Sequence, residues 1–353
     1  MSGLDAHLVV RRDGFELDIA LGIEAGRTVA LLGPNGAGKS TAVDCLAGLL
    51  PLQAGHVVIR ARVVDDPAAG TFVPSEERRV GIVFQDGRLF DRLDVIDNIT
   101  FGRRAAGVGK RAARASAGPW IEAFELTGLE HKRPRELSGG QAQRVAIARA
   151  LASDPELVLL DEPLSALDVA ARTTLRRELA QQLRELPAPR VLITHDPAEA
   201  FLLADEIHVI EGGRITQRGS ADDIRRHPAT PYVAALAGTN FLTGVNDGGE
   251  LLLDDHPRTL RTADAHTSGP VLITIPPRAI SLHREQPDGS ARNTWPTEVA
   301  AIEPLGETTR IELGPPLPLT VEITPAATAD LGLEPGSPIW VAIKATEVNV
   351  SPS

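Results

Sequence analysis

Apolar residues recur in two different patterns along the chain. In the first two-thirds, short continuous apolar runs such as TVALL (28–32) and LVLL (157–160) predict buried strands. A helix is predicted shortly after the first run, in AVDCLAGLL (42–50). Further along, the apolar segments are short, alternate with polar residues and are broken by glycine and proline, as in small barrels. We therefore expect an α/β domain over residues 1–235 and a small all-β domain over residues 236–353.

Composition and charge narrow the class of protein. A length of 353 residues predicts two or three domains. The formal net charge of −11 argues against a general nucleic-acid binder, so no nucleic acid is expected among the partners. The single cysteine, Cys45, excludes an internal disulfide and favours a reducing compartment. No apolar run approaches about 18 residues, and the first residues lack a signal-peptide pattern, so we expect a cytoplasmic chain that meets a membrane through a partner.

A glycine-rich segment, GPNGAGKST, lies between the first predicted strand and the first predicted helix. This is the context that the phosphate-binding pattern G-x-x-x-x-G-K-[ST] requires, because glycines let backbone N–H groups turn inward at a helix N-terminus. Lys39 is expected to reach the β- and γ-phosphates of a nucleotide, and the Ser40 hydroxyl to bind Mg²⁺. The predicted ATP-binding residues are Gly33, Pro34, Asn35, Gly36, Ala37, Gly38, Lys39, Ser40 and Thr41.

Two carboxylates follow the second apolar strand. Open α/β sheets bind their ligands at the carboxyl ends of the strands, which is where Asp161 and Glu162 lie. We expect Asp161 to bind Mg²⁺ through water and Glu162 to polarise the water that attacks the nucleotide. Taken alone, such a pair is better explained as a solvated strand end; the preceding phosphate loop is what favours the catalytic interpretation.

A second predicted anion site opens another helix. In LSGGQ, residues 137–141, a serine and two glycines precede an amphipathic helix and offer free N–H groups, a helix dipole and a hydroxyl. One nucleotide can use both anion sites only if they come from different copies of the chain, which predicts a two-fold homodimer. The residues expected to act on the partner's nucleotide are Ser138, Gly139, Gly140 and Gln141.

These motifs, together with SALD (165–168) and ITHD (193–196), occur in the order of the ATPases of ABC transporters, and residues 4–235 resemble that family. The resemblance implies an α/β P-loop NTPase fold. It also implies that Gln85 contacts Mg²⁺ and senses a membrane partner, that His195 contacts the γ-phosphate, and that Asp168 communicates across the dimer. Phe15, the aromatic residue ahead of the phosphate loop, is expected either to stack on adenine or to belong to the core.

Between the glutamine and LSGGQ, residues of about 86–150 resemble the inserted helical subdomain of the same family, whose surface receives helices from membrane subunits. Four apolar side chains are candidates for that groove, or else for the subdomain core: Leu89, Phe90, Val95 and Ile99.

The second domain contains a diverged repeat, over about 240–285 and 290–350, because two pairs of similar segments occur in the same order. The second copy resembles the molybdate-binding Mop branch of the OB-like TOBE barrels. The resemblance implies an oxyanion site. A small dianion is bound well by several short hydrogen bonds and one compact cation. The first copy has Pro276-Pro277-Arg278 at the corresponding place, and proline removes N–H donors, so that half is expected to be vestigial or structural. The predicted oxyanion residues are Ser290, Ala291, Arg292, Asn293, Lys344, Ala345 and Thr346.

Over its whole length the chain resembles the ATP-binding subunits of molybdate importers. That resemblance implies ATP and Mg²⁺ as cofactors, two integral membrane permease subunits, a periplasmic or extracellular molybdate-binding protein, and a position at the cytoplasmic face of the membrane. Molybdate bound to the second domain would be a feedback signal. The alternatives are an importer of sulfate or tungstate, a soluble ABC ATPase of translation or DNA repair, and an oxyanion store with a silent ATPase.

Overall fold

The computed structural model describes residues 2–12, 14–85, 87–165 and 167–352, and the side chains of residues 2, 169 and 170 are outside this description. The chain divides into two compact units, Met1–Ala221 and Asp222–Ser353. This division lies before the boundary predicted at residue 235. The helix Pro231–Ala237 packs against the first strand of the second unit, which places it with that unit.

The first unit contains eleven strands and eight helices within the described residues. Its strands are β1 Ser2–Arg12, β2 Phe15–Glu24, β3 Thr28–Leu32, β4 Ala54–Ile59, β5 Arg62–Asp66, β6 Thr71–Phe72, β7 Val80–Val83, β8 Leu157–Asp161, β9 Arg190–Ile193, β10 Glu206–Glu211 and β11 Arg214–Gly219. Its helices are α1 Lys39–Ala47, α2 Val95–Ile99, α3 Phe101–Ala105, α4 Lys110–Ala115, α5 Gly118–Ala123, α6 Gly139–Ala152, α7 Val169–Glu185 and α8 Pro197–Leu203. Short 3-10 turns span Pro67–Ala69, Ser75–Glu77 and Pro134–Glu136.

A six-stranded sheet with the order β11-β10-β3-β9-β8-β7 forms the centre of the first unit. Its strands are parallel except for the edge strand β11. The predicted strands 28–32 and 157–160 are β3 and β8, and both are buried over their apolar residues, as continuous apolar runs in parallel sheets are. Because the strands are parallel, the ends of β3, β7, β8 and β9 meet at one edge.

A five-stranded antiparallel sheet, β2-β1-β4-β5-β6, covers one side of this centre. Alternate residues of its strands are buried, for example Leu17, Ile19 and Leu21 in β2. They pack in one core cluster with residues of β3, α1 and β8. The phosphate-loop helix α1 is therefore held between two sheets.

The carboxyl end of α1 is fixed by a buried arginine. Arg78 is 4% exposed, and its Nη1 donates to the carbonyl oxygens of Cys45 at 2.7 Å and Leu46 at 3.1 Å. Its Nη2 lies 3.4 Å from the carboxylate of Asp65, which is also buried. Burial outweighs the pairing, so the pKa of the Asp65 carboxyl is raised and the pKa of the Arg78 guanidinium is lowered. The cation satisfies carbonyls that a helix end otherwise leaves unpaired.

Helices α2 to α6 lie in the segment, about 86–150, for which an inserted helical subdomain is predicted. Val95 and Ile99 are 1% and 0% exposed and belong to its core, so they are not available to a surface groove. Phe90 is 39% exposed and its ring centroid lies 4.3 Å from that of Phe101, which is 42% exposed. Of the apolar groove candidates, Phe90 is thus the one that the fold leaves accessible, while Leu89 is half-buried.

The second unit is mainly β-structure. Its strands are β12 Asn240–Asp247, β13 Glu250–Leu253, β14 Thr259–Arg261, β15 Gly269–Ile275, β16 Ile280–His283, β17 Asn293–Leu305, β18 Thr308–Leu313, β19 Thr320–Ile323, β20 Pro338–Ile343 and β21 Asn349–Pro352. Its helices are α9 Ala221–Arg226, which starts at the division between the units, α10 Pro231–Ala237 and α11 Pro325–Leu331. Two 3-10 turns, Pro277–Ala279 and Ala345–Glu347, follow β15 and β20.

The two segments interpreted as a repeat exchange their final strands. The sheets have the orders β14-β13-β12-β15-β21 and β16-β20-β17-β18-β19. Strand β21 comes from the second segment but pairs with β15 of the first, and β16 comes from the first segment but pairs with β20 of the second. One apolar core lies between the sheets and includes Trp295, Ile273 and Val341.

Two asparagines, one in each segment, make the same pair of hydrogen bonds to the backbone of the other segment. The side-chain amide of Asn240 donates to the carbonyl oxygen of Thr320 at 2.9 Å, and its oxygen accepts from the Thr320 N–H at 2.6 Å. Asn293 makes the equivalent pair with Arg261, at 2.9 Å and 2.6 Å. Each asparagine thereby acts as one rung of sheet between strands of different segments. Within the described residues, no helix has both the length and the apolar character needed to cross a lipid bilayer.

Replacing Arg78 by Met should lower the free energy of unfolding of the first unit by about 3–5 kcal/mol, because it leaves the buried Asp65 carboxylate without its cationic partner. Urea unfolding monitored by circular dichroism measures this. The double variant Arg78→Met with Asp65→Leu removes both charges and should regain part of the loss. A double variant less stable than Arg78→Met would contradict the pairing argument.

Candidate functional site

The phosphate loop lies between the end of β3 and the start of α1. A Cβ at Gly33 would lie 2.2 Å from the carbonyl oxygen of Ile210, so the close approach of β10 admits only glycine there. Gly38 has φ 105°, in the left-handed region that favours glycine, and a Cβ there would lie 2.7 Å from Cδ1 of Leu17 and 3.0 Å from the ring of Phe15. The glycines therefore allow the loop to pass close to its neighbours and turn its amides toward the start of α1.

Lys39 is held inside this loop. Its side chain is nearly buried, and Nζ donates to the carbonyl oxygens of Gly33 at 2.7 Å and Pro34 at 2.9 Å. Burial lowers the pKa of the ammonium group, while the nearby carboxylates of Glu162 and Asp161 raise it. The cation is thus positioned above the loop in which a phosphate chain would lie.

A cavity of about 660 Å³ opens beside the loop. It brings together residues of the phosphate loop, Gln85, the carboxylates after β8 and His195, and Phe15 also lines it. The predicted loop residues Gly33, Pro34 and Ala37 do not line it, and Ala37 is buried. The lining residues are Phe15, Asn35, Gly36, Gly38, Lys39, Ser40, Thr41, Gln85, Asp161, Glu162, Ile193 and His195.

The carboxylates and the histidine meet at the ends of β8 and β9. In the parallel register Asp161 is opposite Ile193, and the Glu162 N–H donates to the Ile193 carbonyl at 2.9 Å. Glu162 has φ 47°, an uncommon conformation for a residue with a side chain. The Glu162 Oε1 lies 3.1 Å from Nδ1 of His195, whose side chain is 63% exposed. The pair is therefore in hydrogen-bonding range at the mouth of the cavity.

Three oxygen donors in the cavity fit a Mg²⁺ ion. Ser40 offers a hydroxyl, Gln85 an amide oxygen and Asp161 a carboxylate, and hard oxygen ligands of this kind suit Mg²⁺. Burial and the neighbouring charge of Glu162 raise the pKa of the Asp161 carboxyl. A divalent cation would relieve this concentration of negative charge, and the three residues predicted to hold Mg²⁺ line the same cavity.

The LSGGQ segment lies outside the cavity of its own chain. Ser138 is the N-cap of α6: its Oγ accepts from the Gln141 N–H at 3.3 Å, and Gln141 Oε1 accepts from the Ser138 N–H at 3.1 Å. Ser138 and Gly139 are exposed, and Gly140 is half-buried. Asp168 is also exposed and caps α7 through the Ala171 N–H at 2.9 Å. None of these residues lines the described cavity, as expected if they serve a partner copy.

Two polar residues of α6 contribute to the site without having been predicted. Gln143 is 4% exposed, and its Nε2 donates to the carbonyl of Pro163, directly after Glu162, at 2.5 Å. Arg149 donates to the carbonyl oxygens of Arg88 at 2.8 Å and Gly87 at 3.1 Å, just after Gln85. Helix α6 therefore holds the backbone on both sides of the cavity. The partners are main-chain carbonyls distant in sequence, so the sequence carries little signal for them.

A second cavity, of about 530 Å³, lies in the second unit. We call it the Lys344 cleft. It brings together Ser290, Ala291 and Lys344 of the predicted oxyanion set, although more than fifty residues separate them along the chain. Because β16 pairs with β20, the first segment also contributes to its wall. The remaining lining residues are Pro276, Arg278, Ala279, Ser281, His283, Pro287, Asp288, Gly289, Ala342 and Glu347.

The other predicted oxyanion residues lie elsewhere. The Asn293 side chain is 4% exposed and is committed to Arg261 and to the Ile343 carbonyl. Arg292 is exposed, and Ala345 and Thr346 belong to the 3-10 turn beside the cleft without lining it. In the first segment, Arg278 pairs with Glu322 at 2.6 Å at the rim of the cleft.

Comparisons with known families match both units. Residues 17–165 match the model of the ABC transporter family, and residues 289–350 match the TOBE domain. The molybdenum import ATP-binding protein ModC of Mycobacterium tuberculosis is 39% identical over 96% of this chain and 94% of its own length. The sulfate/thiosulfate import protein CysA of Yersinia pestis is 37% identical over 84% of this chain and 81% of its own. The spermidine/putrescine import protein PotA of Frankia alni is 38% identical over 77% and 61%.

Solved structures show the same cassette. A dimeric ATP-binding cassette in a post-hydrolysis state, bound to ADP and Pi, is 26% identical with a TM-score of 0.52 and covers 62% of this chain and 98% of its own. An ATP-binding subunit of an ABC transporter is 27% identical with a TM-score of 0.55 and covers 67% and 94%. Together with the family matches, these structures confirm the predicted fold class of a P-loop α/β domain followed by a small β domain.

If Phe15 stacks on adenine, Phe15→Leu should weaken ATP binding by about 1–3 kcal/mol, the usual contribution of base–aromatic stacking. The substitution keeps an apolar side chain against Gly38, so binding of inorganic tripolyphosphate should not change. Competition with a fluorescent nucleotide measures both ligands. Equal loss for the two ligands would assign Phe15 to the packing of the loop instead of to adenine.

Proposed function

We propose a function for this chain from its family: it belongs to the ABC transporter ATPases with a C-terminal TOBE domain. The proposed function is to hydrolyse ATP and so drive the import of molybdate. The observation that carries the cargo assignment is the Lys344 cleft, where Ser290 and Ala291 meet Lys344 in one cavity. ATP hydrolysis rests on the cavity of the first unit, where phosphate loop, carboxylates and histidine converge.

In the proposed reaction the triphosphate lies along the phosphate loop, with Lys39 moving from the Gly33 and Pro34 carbonyls to the β- and γ-phosphates. Ser40, Gln85 and Asp161 would hold Mg²⁺, which when bound neutralises charge on the phosphate oxygens. Glu162 orients the attacking water, and His195, 3.1 Å from Glu162, contacts the γ-phosphate. Positioning and electrostatics supply most of the catalysis, because phosphoryl transfer needs little covalent help from the protein.

The closed state is a homodimer in which the exposed Ser138 and Gly139 and the half-buried Gly140 of one copy complete the ATP site of the other. The Ser138 N–H is used by Gln141, so the N–H groups offered to a γ-phosphate are those of the two glycines in the first turn of α6. Asp168, at the N-terminus of α7, lies on the loop that follows Glu162 and is the proposed contact across the dimer. Hydrolysis removes the bridging charge, and the dimer opens.

The cargo is the finer part of the proposal. The named relatives import molybdenum, sulfate or thiosulfate, and polyamines. The Lys344 cleft offers an ammonium group, the hydroxyls of Ser281 and Ser290, and the guanidinium of Arg278, which also pairs with Glu322. Such donors suit a tetrahedral dianion, although the carboxylates of Asp288 and Glu347 also line the cleft. Selection therefore depends on donor placement instead of net charge, and sulfate and tungstate remain the alternatives within the oxyanion class.

The proposed assembly contains two copies of this chain at the cytoplasmic face of the membrane, two integral permease subunits and an external molybdate-binding protein. The exposed pair Phe90 and Phe101 lies on the helical subdomain where permease helices would dock. Molybdate in the Lys344 cleft would act as a feedback signal by binding the open state more tightly than the closed state.

Replacing Glu162 by Gln should reduce ATP hydrolysis of the complex with the permease by about 10²–10⁴-fold, because the carboxylate that orients water is lost. ATP binding should persist. Phosphate release and equilibrium nucleotide binding measure the two effects. Glu156→Gln, just before the opposite end of β8, is the matched control and should hydrolyse ATP normally. Undiminished hydrolysis by Glu162→Gln would reject the catalytic role.

Replacing Lys344 by Ala should cost about 1.5–3 kcal/mol of molybdate binding, the contribution of a hydrogen bond to a charged group, or about 10- to 100-fold in Kd. Calorimetry on the full chain measures it, with Lys132→Ala as control for removing an exposed lysine. Titrations with sulfate, tungstate and spermidine identify the cargo class. Binding of spermidine without binding of any oxyanion would overturn the assignment.

The feedback role has a separate readout. In vesicles loaded with molybdate, transport by the wild type should be slower than transport by Lys344→Ala. Equal rates would reject feedback and leave the oxyanion site itself unaffected.

A further inference from the structure

Helix α7 carries two arginines one turn apart that reach the two loops flanking the catalytic pair. The helix begins directly after the loop that follows Glu162, and it runs past the turn that contains His195. Arg172 lies in its first turn and Arg176 in its second. The two loops therefore share one rigid support, although neither arginine lines the ATP cavity.

Arg172 holds the loop that follows Glu162. Its Nη2 donates to the carbonyl oxygen of Leu167 at 3.0 Å and lies 3.5 Å from that of Ser165. Ser165 itself donates through its N–H and its hydroxyl to the Glu162 carbonyl, at 3.2 Å and 3.0 Å. A continuous chain of hydrogen bonds thus connects the backbone of Glu162 to α7.

Arg176 holds the turn that contains His195. Its side chain is 17% exposed, and Nη2 lies 2.9 Å from the carboxylate of Asp196, the residue after His195, and 3.9 Å from that of Glu199. On the other side of the histidine, Thr194 donates to Glu199 at 2.8 Å and accepts from the Asp196 N–H at 3.0 Å. Both neighbours of His195 are therefore fixed.

The guanidinium of Arg176 stabilises the negative charges of Asp196 and Glu199. Glu199 is 3% exposed, and burial together with the charge of Asp196 raises the pKa of its carboxyl, whereas Arg176 and Arg172 lower it. Without Arg176 the carboxylates of Asp196 and of the buried Glu199 would repel each other across the turn. The His195 side chain is mostly exposed, with Glu162 within 3.1 Å, so its place depends on the backbone of that turn.

We propose that Arg176 is a positioning residue for ATP hydrolysis. It ties the turn of residues 194–199 to α7, so that His195 and the loop after Glu162 move together when a partner copy contacts Asp168 at the start of the helix. The inference rests on the proposed ATPase function and adds a residue that does not touch the nucleotide.

The test uses the full chain in its complex with the permease. Arg176→Gln should lower kcat by about ten- to a hundredfold, because a small misplacement of a catalytic group has effects of this size. The KM for ATP should stay unchanged, since the phosphate loop is untouched. Arg177→Gln is the matched control: it is the next residue on the same helix, exposed, and should keep full activity. If Arg176→Gln folds poorly, Arg176→Lys is the second variant. It keeps the positive charge but has a single donor group, and it should have a kcat between those of the wild type and Arg176→Gln.

A double-mutant cycle separates positioning from a general structural role. In a His195→Ala background, Arg176→Gln should cause little further loss of kcat, since the group that it positions is absent. Losses that multiply in full, or a change confined to KM, would overturn the inference. Failure of the wild type to hydrolyse ATP would instead reject the proposed function.

Discussion

The register between β8 and β9 is the constraint on which the ATP site depends. Asp161 lies opposite Ile193, and the next amide, that of Glu162, bonds to the Ile193 carbonyl while the chain turns into a left-handed conformation. This one bond sets the direction of Glu162 and brings it to His195. A shift by one residue would place the carboxylate on the other face of the sheet. The precision of the site therefore comes from sheet pairing.

The parts of the site that local motifs encode were predictable from the sequence. The phosphate loop, the carboxylates after β8 and the cap of α6 each require a few adjacent residues, and the cavity contains Lys39, Asp161 and His195 as expected. The contribution of Ser281 and His283 to the Lys344 cleft was not predictable, because it follows from the pairing of β16 with a strand sixty residues further along.

Apolar patterns alone could not separate surface from core in the helical subdomain. Val95 and Phe90 are both apolar residues near the same turn, yet one is 1% and the other 39% exposed. The difference arises because α2 packs on α6, a contact between distant segments. Asn293 belongs to a motif from which we predicted contact with an oxyanion. Its side-chain amide instead makes two hydrogen bonds to the backbone of Arg261, which connect the two segments.

The exchange of β16 and β21 has a consequence for how the second unit can vary. Each sheet contains an edge strand from the other segment, so neither segment alone forms a complete sheet. We therefore expect the two halves to unfold in one cooperative transition. A destabilising substitution in either half should lower the stability of the whole unit. The two halves differ in the residues of their turns, Pro276-Pro277-Arg278 and Lys344-Ala345-Thr346, but each needs a strand of the other to complete its sheet.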